Sequence, residues 1–124
     1  MTIAFWAIFA ACLLPIFCAW LAKAGSKGFD NAAPRDWIDR QTGWRQRADW
    51  AQRNHYEVFP AFAAAVIVAH LAHAPQGWAD VLAVAFVLLR LAYTAAYVLD
   101  RPSLRSALWS LGLLCVLGLF AIAA

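Results

Sequence analysis

The sequence predicts an all-α integral membrane protein, a bundle of four transmembrane helices, and three observations carry that prediction. Of the 124 residues, 65% are hydrophobic and only 14% charged, where soluble domains run at about half apolar and a quarter charged. The apolar residues gather into four runs, each close to the length, about 20 residues, that crosses about 30 Å of hydrocarbon. The charges gather between those runs, and seven tryptophans supply anchors for the interfaces. The length suits one domain, residues 1–124.

The first span covers residues 3–22 and holds no charge, while Pro15 inside it predicts a kink. Met1 to Ala22 lacks a basic start and is too long for the apolar core of a signal peptide, so it reads as a retained span. Residues 23–47 form a polar loop broken by Gly25, Gly28, Pro34 and Gly43. There Lys23, Lys27, Arg35, Arg40, Arg45 and Arg47 outnumber Asp30, Asp36 and Asp39. The second span, residues 48–72, is polar from Ala48 to Tyr56 and apolar from Val58. After a turn at His73–Trp78 comes the third span, residues 78–99, interrupted at depth by Arg90. Pro102 suits the start of the fourth, residues 104–123.

Loop charge orients the bundle. Lys and Arg concentrate in the loop before span two and in the turn before span four, and are absent from the turn between spans two and three and from both termini. The positive-inside rule places the basic loops in the cytoplasm and both termini outside. The same placement accounts for the net charge of +3, so no nucleic-acid partner is expected. Cys12, Cys18 and Cys115 all lie within apolar runs and read as packing residues.

Ionisable groups inside spans are costly and mark candidate sites. In span two, Arg47, Asn54 and Glu57 fall within about one quadrant of the helix, and Arg53 stands one turn before Glu57. In span three, Arg90, Tyr93 and Tyr97 share a face. In span four, Arg105 and Trp109 are one turn apart, with Ser106 beside Arg105. The topology brings these stripes to one depth, in the cytoplasmic third to half of the bilayer. An ion pair between Glu57 and Arg90 is the simplest structural account. The surplus of guanidiniums, amide and phenols points further, to a small zwitterionic or anionic ligand bearing carboxylates. His70 and His73 have a spacing compatible with metal, but no Cys, Asp or Glu nearby completes a site. A four-helix multidrug transporter would carry an acid in span one, and this chain has none there.

Arg53-Asn54-His55-Tyr56-Glu57-Val58-Phe59-Pro60 resembles the second-helix signature of the MAPEG family, the membrane-associated proteins in eicosanoid and glutathione metabolism. Arg90-x-x-Tyr93-x-x-x-Tyr97 resembles the third helix, and Leu104-Arg105-Ser106-x-x-Trp109 the start of the fourth. The resemblance covers essentially the whole chain and is to bacterial members similar to microsomal glutathione transferases. It implies a homotrimer in the inner membrane, with glutathione as cosubstrate between subunits and an apolar electrophile arriving from the lipid. It implies that Asn54 and Glu57 hold the peptide's polar and amino groups, and that Arg53 and Lys23 or Lys27 meet its carboxylates. Tyr93 and Tyr97 would line the pocket, with Arg105 as the catalytic residue at the thiol. Arg47, Arg90, Ser106 and Trp109 complete the candidate set. Two departures stand out: Trp50 where many members have arginine, and Trp109 where several have tyrosine. The alternative within the same family is a non-catalytic protein that binds lipid or glutathione.

Overall fold

A computed structural model describes all 124 residues, and its regular structure is entirely helical: α1 (Ile3–Lys23), α2 (Pro34–Asp39), α3 (Gly43–Leu71), α4 (Gln76–Val98) and α5 (Pro102–Ala123). Three of these, α1, α4 and α5, are long and apolar enough to cross a membrane. The remaining long helix, α3, has 29 residues but carries charge through its first half. It runs antiparallel to α1 along the whole of that helix. At one end Arg45 Nη1 donates to the Ala22 carbonyl at 2.7 Å; at the other the Phe5 and His70 rings lie 4.8 Å apart.

Small residues make this contact. Ala4, Ala7, Ala11, Cys18 and Ala22 of α1 are buried, as are Ala48, Ala51, Ala65 and Ala69 of α3. Without long side chains between them, the two backbones approach closely and gain dispersion contacts where lipid offers no hydrophobic drive. At the bundle centre Phe62 stacks on Phe86 with centroids 3.9 Å apart, surrounded by Val66, Cys115, Val116 and Leu119. At Gly118 of α5 an added Cβ would stand 3.2 Å from Leu82 Cδ1, a contact that requires the leucine to give. Helices α1 and α3 continue through Pro15 and Pro60.

The helix ends differ from the expected boundaries. Helix α3 begins at Gly43, five residues before the span predicted from hydropathy, because its first turns serve two other helices. Arg45 reaches the end of α1, and Arg47 Nε and Nη2 both donate to the Val98 carbonyl at the end of α4, at 3.1 and 3.0 Å. Both acceptors belong to C-terminal turns, whose carbonyls lack helical partners and attract cations. Within the long polar loop, α2 is a helix of one to two turns that hydropathy does not reveal, with Trp37 edge-on to Phe29 at 5.2 Å. Asp80, an acid in the opening turns of α4 that the charge pattern leaves aside, accepts from the Ala4 N–H at 2.8 Å and from Gln76 Nε2. It thereby satisfies a free donor at the start of α1.

Helices α3 and α4 end alike. His73 and Asp100 take positive φ, +55° and +56°, and the next residue closes a bond back to the helix: Ala74 N–H to Ala69 at 2.9 Å and Arg101 N–H to Ala96 at 2.8 Å. This left-handed ending usually employs glycine. Around the bundle, only 26 of 124 residues are buried. Large apolar side chains instead cover the outside, among them Trp6, Phe9, Phe17 and Trp20 of α1 and Leu111, Leu114 and Leu117 of α5. A surface of that kind is stable against lipid or another protein.

Because a side chain at His73 holds left-handed backbone, His73→Gly is expected to raise stability by about 0.5–1 kcal/mol. Unfolding in a mixed-detergent titration measures it; a lower stability would mean that the histidine side chain contributes more than its backbone strain costs.

Candidate functional site

The site begins with a buried cation. Arg90 in the middle of α4 is 1% exposed, and a guanidinium cannot shed its charge to suit an apolar setting. No carboxylate pairs with it; the two ion pairs of the chain both belong to Arg53. Its acceptors are neutral instead. Nε and Nη2 lie 3.2 and 3.1 Å from His55 Nδ1, and Nη2 donates to Asn54 Oδ1 at 3.0 Å. The Tyr93 ring, one turn on, sits 4.0 Å from the guanidinium carbon and adds cation–π attraction in a desolvated place.

Adjacent positions of α3 split the work. Asn54 is half-buried and faces outward, whereas His55 is buried on the stripe that holds Ala48, Ala51 and Phe62. Having given its oxygen to Arg90, Asn54 turns its amide nitrogen to Glu57 Oε2 at 2.9 Å. The expected ion pair of Glu57 with Arg90 is therefore absent, and Asn54 stands between them as a relay. Glu57 stays exposed, while the buried cation is met by groups whose burial costs far less than a carboxylate's.

From Arg90 the polar path continues across α4 to α5. The Tyr93 and Tyr97 rings meet edge-on at 5.5 Å, and the Arg105 guanidinium lies 4.5 Å from the Tyr97 ring centre. Two clefts share this tyrosine wall. One, of about 370 Å³, is lined by Trp50, Arg53, Asn54, Glu57, Tyr93 and Tyr97; the other, of about 280 Å³, by Tyr93, Tyr97, Arg105, Ser106, Trp109 and Ser110. Below them an apolar crevice opens between α3 and α5, bounded by Glu57, Arg90 and Trp109 above and by Phe86, Gly112 and Val116 beneath. Asn54, Glu57, Arg90, Tyr93, Tyr97, Arg105, Ser106 and Trp109 thus form one neighbourhood. Arg105 is the half-buried cation there that finds no carboxylate or carbonyl within the chain.

Three candidates lie apart from it or are otherwise engaged. Arg47 is held at the end of α4. Lys23 lies 4.5 Å from the Phe29 ring and lines a different cleft, about 570 Å³, together with Arg35, Asp39, Asp49, Gln52 and Tyr56. Arg53 borders this cleft and the one lined by Asn54 and Glu57, but it pairs with Asp49 at 2.8 Å and Asp39 at 3.0 Å rather than with Glu57. Helical side chains lean towards the N-terminus, which carries Arg53 back to Asp49 and leaves Glu57 to Asn54. At the opposite end of the bundle, the His70 ring lies tilted against Phe5 and His73 forms the turn. The three cysteines are free thiols.

The residues missed by sequence reasoning are His55, Thr94 and Asp49. His55 Nε2 lies 2.8 Å from Thr94 Oγ1, and Asp49 is largely buried beneath Arg53. A signal for His55 exists: it falls in register with the alanines of α3, a polar side chain at a core position. The sequence profile of the MAPEG family matches residues 3–124, and no curated protein matches the chain significantly.

Stranding a cation costs more than stranding its neutral acceptors. His55→Phe is accordingly expected to lose about 3–5 kcal/mol of stability and Arg90→Met about 2–3 kcal/mol, measured by unfolding in detergent. The reverse order would contradict the assignment of His55 as the principal acceptor.

Proposed function

The chain belongs to the MAPEG family, and on that basis we propose that it is a membrane-bound, glutathione-dependent transferase or peroxidase acting on lipophilic electrophiles, like the bacterial relatives of microsomal glutathione transferases. One observation carries the reading. A carboxylate, an amide, two phenols and a cation without an acceptor line adjoining clefts on the flank of a bundle that exposes many large apolar side chains. Polar groups at that depth are expensive unless a ligand or partner covers them.

The groups suit a tripeptide with one ammonium, two carboxylates and a thiol. Glu57 has one carboxylate oxygen beyond the Asn54 bond and takes the ammonium. Arg53 lies at the rim for a carboxylate. Arg105 is left for the thiol: a free thiol with a pKa of about 8.5 is mostly protonated at neutral pH, and a neighbouring guanidinium favours the thiolate. The thiolate sulfur then attacks an electrophilic carbon and the leaving group departs with the displaced electron pair. Arg105 supplies charge already in place. The apolar crevice beneath Trp109 gives a lipophilic substrate somewhere to lie.

The reading extends to assembly and topology. Helix α3 is the fourth crossing, since it accompanies the apolar α1 from end to end. Three copies associate, and Lys23 of a neighbouring copy meets the second carboxylate, because within one chain it opens on a different cleft. The loop rich in Lys and Arg and the turn that holds Arg101 share one end of the bundle, which is cytoplasmic, and the termini lie outside the bacterial inner membrane. A second reading, a binder without turnover, is favoured by Trp109, which offers no phenolic hydroxyl beside Arg105.

Conjugation of glutathione to 1-chloro-2,4-dinitrobenzene in detergent tests the choice. Arg105→Ala is expected to lower kcat by about a hundredfold while changing glutathione affinity by less than about tenfold. Binding with no turnover in the wild type would favour the second reading, and equal kcat in both proteins would remove Arg105 from the chemistry.

A further inference from the structure

Behind Arg90, away from the clefts, the hydrogen bonds close on themselves. Two guanidinium N–H groups aim at His55 Nδ1, so that nitrogen is the acceptor and the proton of the ring sits on Nε2. Nε2–H then donates to Thr94 Oγ1 at 2.8 Å. The Thr94 hydroxyl, one turn after Arg90, donates to the Arg90 carbonyl at 3.1 Å. The remaining lone pair of Oγ1 faces Cys18 Sγ at 3.8 Å, a weak thiol donor from α1. Each bond in this ring has one permitted direction, and no buried side-chain nitrogen or oxygen in the chain lacks a partner.

The directionality passes to the cleft. With His55 turned and Arg90 held, Asn54 must present its oxygen to the guanidinium, because the flipped amide would set N–H against N–H. Its nitrogen is thereby committed to Glu57 Oε2, and the other carboxylate oxygen of Glu57 is left to the cleft. We infer that Thr94 and His55 are positioning residues that act through Arg90 and Asn54 to aim the Glu57 carboxylate, and so set the preference of the site for a thiol peptide with a free amino group. This rests on the glutathione reading above. It adds the buried pair that gives Glu57 its direction and assigns selectivity for the ammonium to residues that touch no ligand.

Thr94→Val keeps the shape of the side chain and removes the hydroxyl, so that His55 Nε2–H loses its acceptor and the ring is no longer held with Nδ1 against Arg90. Thr94→Ser restores the hydroxyl. The experiment measures Kd and KM for glutathione and for N-acetylglutathione, together with kcat at saturation, on the purified protein in detergent. The wild type is expected to prefer the free amine. In Thr94→Val that preference falls by about tenfold, the equivalent of one hydrogen bond to a charged group, through KM and Kd rather than kcat, and Thr94→Ser recovers it. General loosening of the bundle would weaken both peptides alike and leave their ratio unmoved. An unchanged ratio in Thr94→Val, or a wild type that binds both peptides equally, overturns this inference alone. A wild type that binds neither overturns the glutathione reading with it.

Discussion

The rest of the structure depends on how a permanently charged guanidinium is kept inside an apolar bundle. Arg90 cannot be neutralised, and leaving it without acceptors would cost several kcal/mol. A buried carboxylate would meet the charge but would bring its own desolvation penalty. The chain uses an imidazole nitrogen and an amide oxygen instead. Both come from consecutive residues of α3, so the register of α3 against α4 is tied to this one contact. Thr94 extends the tie to α1 through Cys18, and the alanine stripes let three backbones come close enough for these short side chains to reach.

That arrangement explains why the polar face is shaped as it is. Since Arg90 takes neutral acceptors, Glu57 is free of it and remains at the surface of the cleft. Since Asn54 is committed on its oxygen side, its nitrogen steadies the carboxylate. Tyr93 covers the guanidinium and passes the edge of the wall to Tyr97, against which Arg105 rests. A buried cation and a half-buried one therefore stand at opposite ends of the tyrosine pair. The first organises the cleft, and in the proposed function the second does the chemistry there.

Much of this was legible in the residues. The apolar runs located the long helices, because a 21-residue helix such as α1 spans about 31 Å, the thickness of hydrocarbon. Helical spacing put Arg90, Tyr93 and Tyr97 on one face. What escaped depended on contacts between helices. Hydropathy placed the start of α3 five residues late, since it registers Arg45 and Arg47 as loop charges and cannot see the carbonyls they cap. Glu57 and Arg90 were natural partners by charge alone, and only the depth of Arg90 and the placement of Asn54 between them separate the two. His55 was hidden inside a family signature, where its register with Ala48, Ala51 and Phe62 went unread. Lys23 and Arg47 belong to the same end of the molecule as the clefts, but proximity along the membrane normal does not place a side chain on the same flank.

A structure of the protein in lipid with glutathione bound would test the account most directly. The account predicts the amino group of the peptide at Glu57, its sulfur at Arg105, and Arg90 still bonded to His55 and Asn54 as in the free chain. Glutathione seated away from the Tyr93–Tyr97 wall, or Arg90 turned outward to pair with Glu57 or the ligand, would contradict it.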